Sequence, residues 1–221
     1  MEARVTQVLD YLMEPELLGW MLRSGPAKVK RVGDEAKIIG SAVDSIIYAD
    51  IMGKGRIEAA IQPEVASHKS VVSALEAWAK FKVRYPEVVA SVKFAQVELS
   101  DAEENVVGHP DIIVESDNEW GIIDVKTSKA IQPRYWTQTA KYADMYAKGR
   151  LVGPRIDKPR FIAILRLDKE TGLFEYKRID DEAIIRYEIE IFAAHLKLFR
   201  HNSLLREVIR KQLEAEVMNA S

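Results

Sequence analysis

Two short apolar runs, each containing a carboxylate, constrain this chain more than any other stretch of it. The first is Gly108-His109-Pro110-Asp111-Ile112-Ile113-Val114, and the second is Ile122-Ile123-Asp124-Val125-Lys126-Thr127. Between them lies Ser116-Asp117-Asn118-Glu119, a cluster of turn formers, so the two runs read as the strands of one hairpin. A turn centred on Asp117 and Asn118 makes the numbers of every facing pair share one sum. Asp111 and Asp124 satisfy it and face each other across the ladder.

Two carboxylates opposed on one face repel, and their apolar flanks add a desolvation cost. A divalent cation turns this liability into a site, because Mg²⁺ or Mn²⁺ takes hard oxygen ligands a few ångströms apart. Lys126 lies two residues past Asp124, so alternation puts its ammonium on the same face. The backbone carbonyl of Val125 is a candidate third ligand. Metal, acids and ammonium together suit phosphodiester hydrolysis, with the lysine orienting water or countering transition-state charge. The competing reading is a surface hairpin in which Asp111 and Lys126 form an ordinary cross-strand ion pair.

The rest of the chain supplies the frame. Residues 4–24 carry Val5, Val8, Leu9, Leu18, Trp20 and Met21 at helical spacing, interrupted near Pro15. Residues 33–52 and 64–83 continue as helices, and His68 opens the second of these as a solvent-facing residue. Val88–Leu99, Val106–Val114 and Trp120–Thr127 read as strands, and residues 132–148 as a helix. Arg160–Leu167 and Leu173–Arg178 form a hairpin turning on Lys169-Glu170-Thr171-Gly172. Helices over 180–200 and 203–218 follow, the first capped by Asp180 or Asp181. The expected fold is α+β, or mixed α/β: a central, mostly antiparallel to mixed sheet of about five strands flanked by helices. One domain spans 1–221, with a helical part (1–85), a core (86–180) and C-terminal helices (181–221).

The 221 residues include no cysteine, which excludes disulfides, thiol nucleophiles and cysteine-ligated metals. That favours an intracellular, cytoplasmic protein. No run approaches the about 20 apolar residues of a membrane span, and the first residues lack a signal-peptide layout. The net charge of −2 excludes a bulk polycation. Lys28, Lys30 and Arg31, and separately Arg200, His201, Arg206, Arg210 and Lys211, form local basic clusters that read as solvated helix faces.

Pro110-Asp111 followed by Asp124-Val125-Lys126 resembles the signature of the PD-(D/E)XK nuclease superfamily. The closer likeness is to its RecB-type and lambda-exonuclease-like branch, since Gln138-x-x-x-Tyr142 follows within one helix. The resemblance implies a restriction-endonuclease-like core, Asp111, Asp124 and Lys126 as the catalytic set, and Mg²⁺ or Mn²⁺ as cofactor. It implies that Gln138 and Tyr142 border the site and position the substrate strand; Tyr135 and Tyr146 on the same helix read as sheet-packing core. In the family's Gly-[ST]-x-x-His element this chain has Gly40, Ser41 and then Asp44 at the histidine position. Asp44 reads equally as a ligand or as a helix-surface carboxylate. At the family's acid before Pro-Asp stands Gln96, a weak metal ligand, with Glu98 two residues on and on the same face; either Glu98 takes the role with a shifted register or the site has one acid fewer. The implied function is exonuclease-like cleavage of DNA in replication, recombination or repair, in a prokaryotic or viral setting. The alternatives are a catalytically weak homologue that binds DNA or a protein, and an RNase or structure-specific endonuclease. A homo-oligomer stays open.

Overall fold

The computed structural model describes residues 2–10, 15–53, 62–149 and 160–219. In chain order its elements are β1 (Ala3–Arg4), α1 (Val5–Leu9), α2 (Pro15–Ser24), α3 (Pro26–Ile51), α4 (Pro63–Ala66), α5 (Lys69–Arg84) and α6 (Pro86–Ala90). Then come β2 (Val92–Ala95), β3 (Leu99–Asp101), β4 (Val106–Gly108), β5 (Ile112–Glu115) and β6 (Trp120–Lys126). The last are α7 (Pro133–Gly149), β7 (Arg160–Leu167), β8 (Phe174–Ile179) and α8 (Glu182–Asn219).

The expected mixed α/β fold is present. Its main sheet has five strands in the order β2-β5-β6-β7-β8. Only the β6–β7 pair is parallel, joined by the crossover that contains α7. A second sheet of three strands, β1-β4-β3, stands beside it and is new relative to the sequence reading. Alternation along the strands splits the core in two. Ile113, Trp120, Ile122 and Ile162 pack towards α7 and α8, while Ile112, Val114, Ile123, Val125, Ala163 and Leu165 pack towards α3 and α5.

Several boundaries differ from the periodicity. Val106–Val114 is two strands in different sheets: Pro110 has no N–H to give a ladder, so β4 ends before it and β5 starts after it. Val88–Leu99 is likewise divided, with α6 at its start and a left-handed residue, Gln96 (φ 50°), separating β2 from β3. The stretch 4–24 begins as β1 rather than as helix, and 64–83 is broken into α4 and α5. His68 is the exposed N-cap of α5, its Nδ1 accepting from the N–H of Ser70 at 3.3 Å. The two C-terminal helices are one, the 38-residue α8. Across the expected gap at 201–202 the helix runs through, and the side chains of Asn202 and Ser203 donate to the carbonyls of Leu198 and Phe199 one turn back. Asp181, not Asp180, caps it, accepting from the N–H groups of Ala183 and Ile184.

Candidate active site

The hairpin register is the one that the turn residues imply. Glu115 faces Trp120 and Ile112 faces Ile123. Ser116 and Glu119 close the turn through a 2.9 Å backbone hydrogen bond. Asp111 sits one residue before β5, and its carboxylate takes the place of a strand: Oδ2 accepts from the N–H of Val125 at 2.7 Å. Because the N–H and C=O of a strand residue point to one side, the Val125 carbonyl turns to the same edge of β6.

Asp124 is buried, and Lys126 Nζ lies 2.6 Å from its Oδ2. The approach is off-axis, so that buried oxygen has an ionic neighbour but no aligned hydrogen-bond donor. From α3, Asp44 joins Asp111, Gln96 and Val125 around a void of about 10 Å³, close to the space of one water. From α7 come Gln138 and Tyr142, both buried. Gln138 Nε2 donates to the Tyr142 hydroxyl at 3.1 Å. Gly108 completes the wall, because a side chain there would collide with the Tyr142 ring. The glycine three residues before Asp111 therefore has a packing reason.

Electrostatically the cluster is starved of positive charge. Burial pushes Asp111 well above the ordinary carboxylate range, and Asp124 and Asp44 push it further. Asp124 is raised by burial against the pull of Lys126. Burial lifts Asp44 to about 6, with Lys126 opposing and Asp124 assisting. Burial alone would lower Lys126, but Asp124 and Asp111 outweigh it and hold the ammonium charged. Tyr142 is raised by burial first and by Asp124 next.

Most of the expected residues converge: Asp44, Gln96, Asp111, Asp124, Val125, Lys126, Gln138 and Tyr142. The left-handed turn at Gln96 ends the strand, so alternation does not carry across it, and Glu98 is exposed, 3.3 Å from His109 Nε2. Among the described residues no three Asp, Glu or His side chains are grouped closely enough to hold a metal ion. The donors nonetheless fit a hard divalent cation: the buried Asp124 carboxylate, a second carboxylate at Asp111 and the Val125 carbonyl edge. Tyr135 is the residue whose role the periodicity misses. It is buried on α7 as expected of core, but its ring faces Lys126 Nζ at 5.0 Å to the centroid.

A model of the PD-(D/E)XK nuclease superfamily matches residues 33–218. The chain belongs to that superfamily, whose members generally use divalent metal ions. Among solved structures, it is similar to an alkaline exonuclease from Laribacter hongkongensis, with 16% identity, a TM-score of 0.38 and coverage of 95% of this chain and 94% of that one. A phage-related exonuclease from Haemophilus somnus is similar at 14% identity and a TM-score of 0.39, over 94% of this chain and 96% of that one. No curated protein matches. The family supports a nuclease, a hydrolase of phosphodiester bonds with nucleic acid as its partner. No helix among the described residues is long and apolar enough to cross a membrane.

Proposed function

We propose that the chain is a Mg²⁺- or Mn²⁺-dependent deoxyribonuclease of exonuclease type, working on cytoplasmic DNA in replication, recombination or repair. One observation carries the reading: the Asp111 carboxylate accepts from the Val125 N–H at 2.7 Å, between Asp124 and Lys126, whose ammonium lies 2.6 Å from Asp124. Asp111, Asp124 and the Val125 carbonyl would hold the ion, with Asp44 as a further oxygen. A divalent ion there supplies a Lewis acid that neutralises phosphate charge and makes water a nucleophile at neutral pH. Lys126, kept charged by its two acids, counters the negative charge that develops on the phosphate. Gln138 and Tyr142 line the wall where the strand would lie.

The test is incubation of linear and circular DNA with Mg²⁺, Mn²⁺ or EDTA, beside Asp124→Ala. Metal-dependent loss of linear DNA alone, abolished in the variant, is the expected result. Digestion of circles would instead mark an endonuclease. A second reading, a homologue that binds DNA without cutting it efficiently, is favoured by Gln96, an amide where the family carries an acid. Intact DNA in every tube with a mobility shift would establish that reading and sink the first.

A further inference from the structure

The Lys126 ammonium faces the acids, and its side chain is only 20% exposed. Its ammonium lies 2.6 Å from the Asp124 carboxylate and 5.0 Å from the centroid of the Tyr135 ring. The second distance lies inside the reach of a cation–π contact, about 6 Å. The two holds come from different elements, β6 and α7. They also differ in what a divalent ion does to them. An ion on Asp124 withdraws negative charge from the ammonium, whereas the ring's quadrupole is unaffected. A lysine has a flexible four-carbon stem, and one that must stay aimed needs the hold that survives.

The ring itself is steered. Arg134, one residue earlier, lies 5.5 Å from the same centroid. Its guanidinium is anchored to Gln132 Oε1 at 3.0 Å and to Asp10 Oδ1 at 3.1 Å. The buried Tyr135 ring thus lies near both a tethered cation and the one that faces the acids.

We propose that Tyr135 is a positioning residue whose ring face holds the Lys126 ammonium in place when a divalent ion occupies the acids, an assignment that rests on the nuclease reading above. Fluorination tests it, because it weakens the ring quadrupole while changing shape little. Phenylalanine and its mono-, di- and pentafluoro forms are placed at position 135, and cleavage of linear DNA is followed. Tyr135→Phe keeps near-native kcat. Across the fluorinated series kcat falls stepwise by roughly 10-fold, the scale of a desolvated cation–π contact, while KM stays put. A flat series overturns the role, since a space-filling ring tolerates fluorine.

A double-mutant cycle of Tyr135→Leu with Lys126→Met, read by urea unfolding in EDTA, measures the contact without catalysis. Non-additive stabilities are expected. Additive ones remove the contact while leaving the nuclease reading standing. If the native chain cuts no nucleic acid, the positioning role falls with that reading, and the cycle still decides the contact.

Discussion

Lys126 and Lys141 are both packed against carboxylates, one on β6 and one on α7, and Asp101 beside Lys141 shifts in the opposite direction from the acids around Lys126. Lys141 is fully buried and donates to Asp101 at 2.7 Å, Glu104 at 2.6 Å and Asp144 at 3.0 Å. Lys148 adds a second cation, 3.2 Å from Asp101 and 2.8 Å from Asp144. Burial pushes Asp101 up, but Lys141, the N–H of Glu104 and Lys148 outweigh it and bring it down to about 2. Around Lys126, by contrast, Asp44, Asp111 and Asp124 share one ammonium, and all three are raised. The first cluster is complete and ties the β3–β4 sheet to α7; the second lacks charge, which is what an ion-binding site looks like.

The strongest way to break this contrast is Asp124→Ala. Cleavage of DNA should fall at least about 1,000-fold, the scale of losing a principal charge-stabilising group, while thermal melting in EDTA should not drop, because one of three crowded acids is gone. Residual cleavage at the native rate would sink the assignment. Lys141→Met should do the reverse. It leaves Asp101 buried without its main partner and should cost about 3–5 kcal/mol in urea unfolding. A change under about 1 kcal/mol would mean that the network is not closed as described.

Gly108→Ala sharpens the contrast from the wall of the site. The added methyl pushes the Tyr142 ring, so stability should fall by about 1–3 kcal/mol, as overpacking does. Cleavage should fall with it; an unchanged melting midpoint would show that the ring yields freely.

The smallest expected effect is in pH. Asp101 has a depressed folded pKa, so its contribution is present above the unfolded value and is lost as pH falls from about 4 towards about 2. Asp44 is raised to about 6, so its protonated form is favoured by folding, and ion-free protein should lose stability as pH rises from about 4 to about 6. Asp101→Asn should flatten the acid limb and Asp44→Asn the neutral one, both in EDTA melts. Identical pH profiles for native and Asp44→Asn protein would remove Asp44 from the cluster.

The two clusters were not equally legible. Asp111, Asp124 and Lys126 could be read from turn chemistry and alternation, because both act within a few residues and the hairpin is local. Lys141 could not. A lysine on a helix reads as a solvated face, and only the docking of β3 and β4 against α7 makes it a buried hub. Alternation could not relate Glu98 to Gln96 for a similar reason: it assumes an unbroken strand, and the left-handed Gln96 ends it. The gap expected between 200 and 203 is not there, and the Asn202 and Ser203 side chains bond to carbonyls of their own helix.

By itself, then, the sequence determined the hairpin, its register and the opposition of two acids beside a lysine. Turn residues and a two-residue period set these without reference to the rest of the chain. The tertiary structure alone decided that Asp44 of α3 enters the cluster, that Gly108 meets Tyr142, and that Tyr135 faces Lys126 instead of merely filling the core. Those contacts join elements far apart in the chain. Which faces they bring together depends on how two helical layers pack on a twisted sheet, and no local periodicity encodes that.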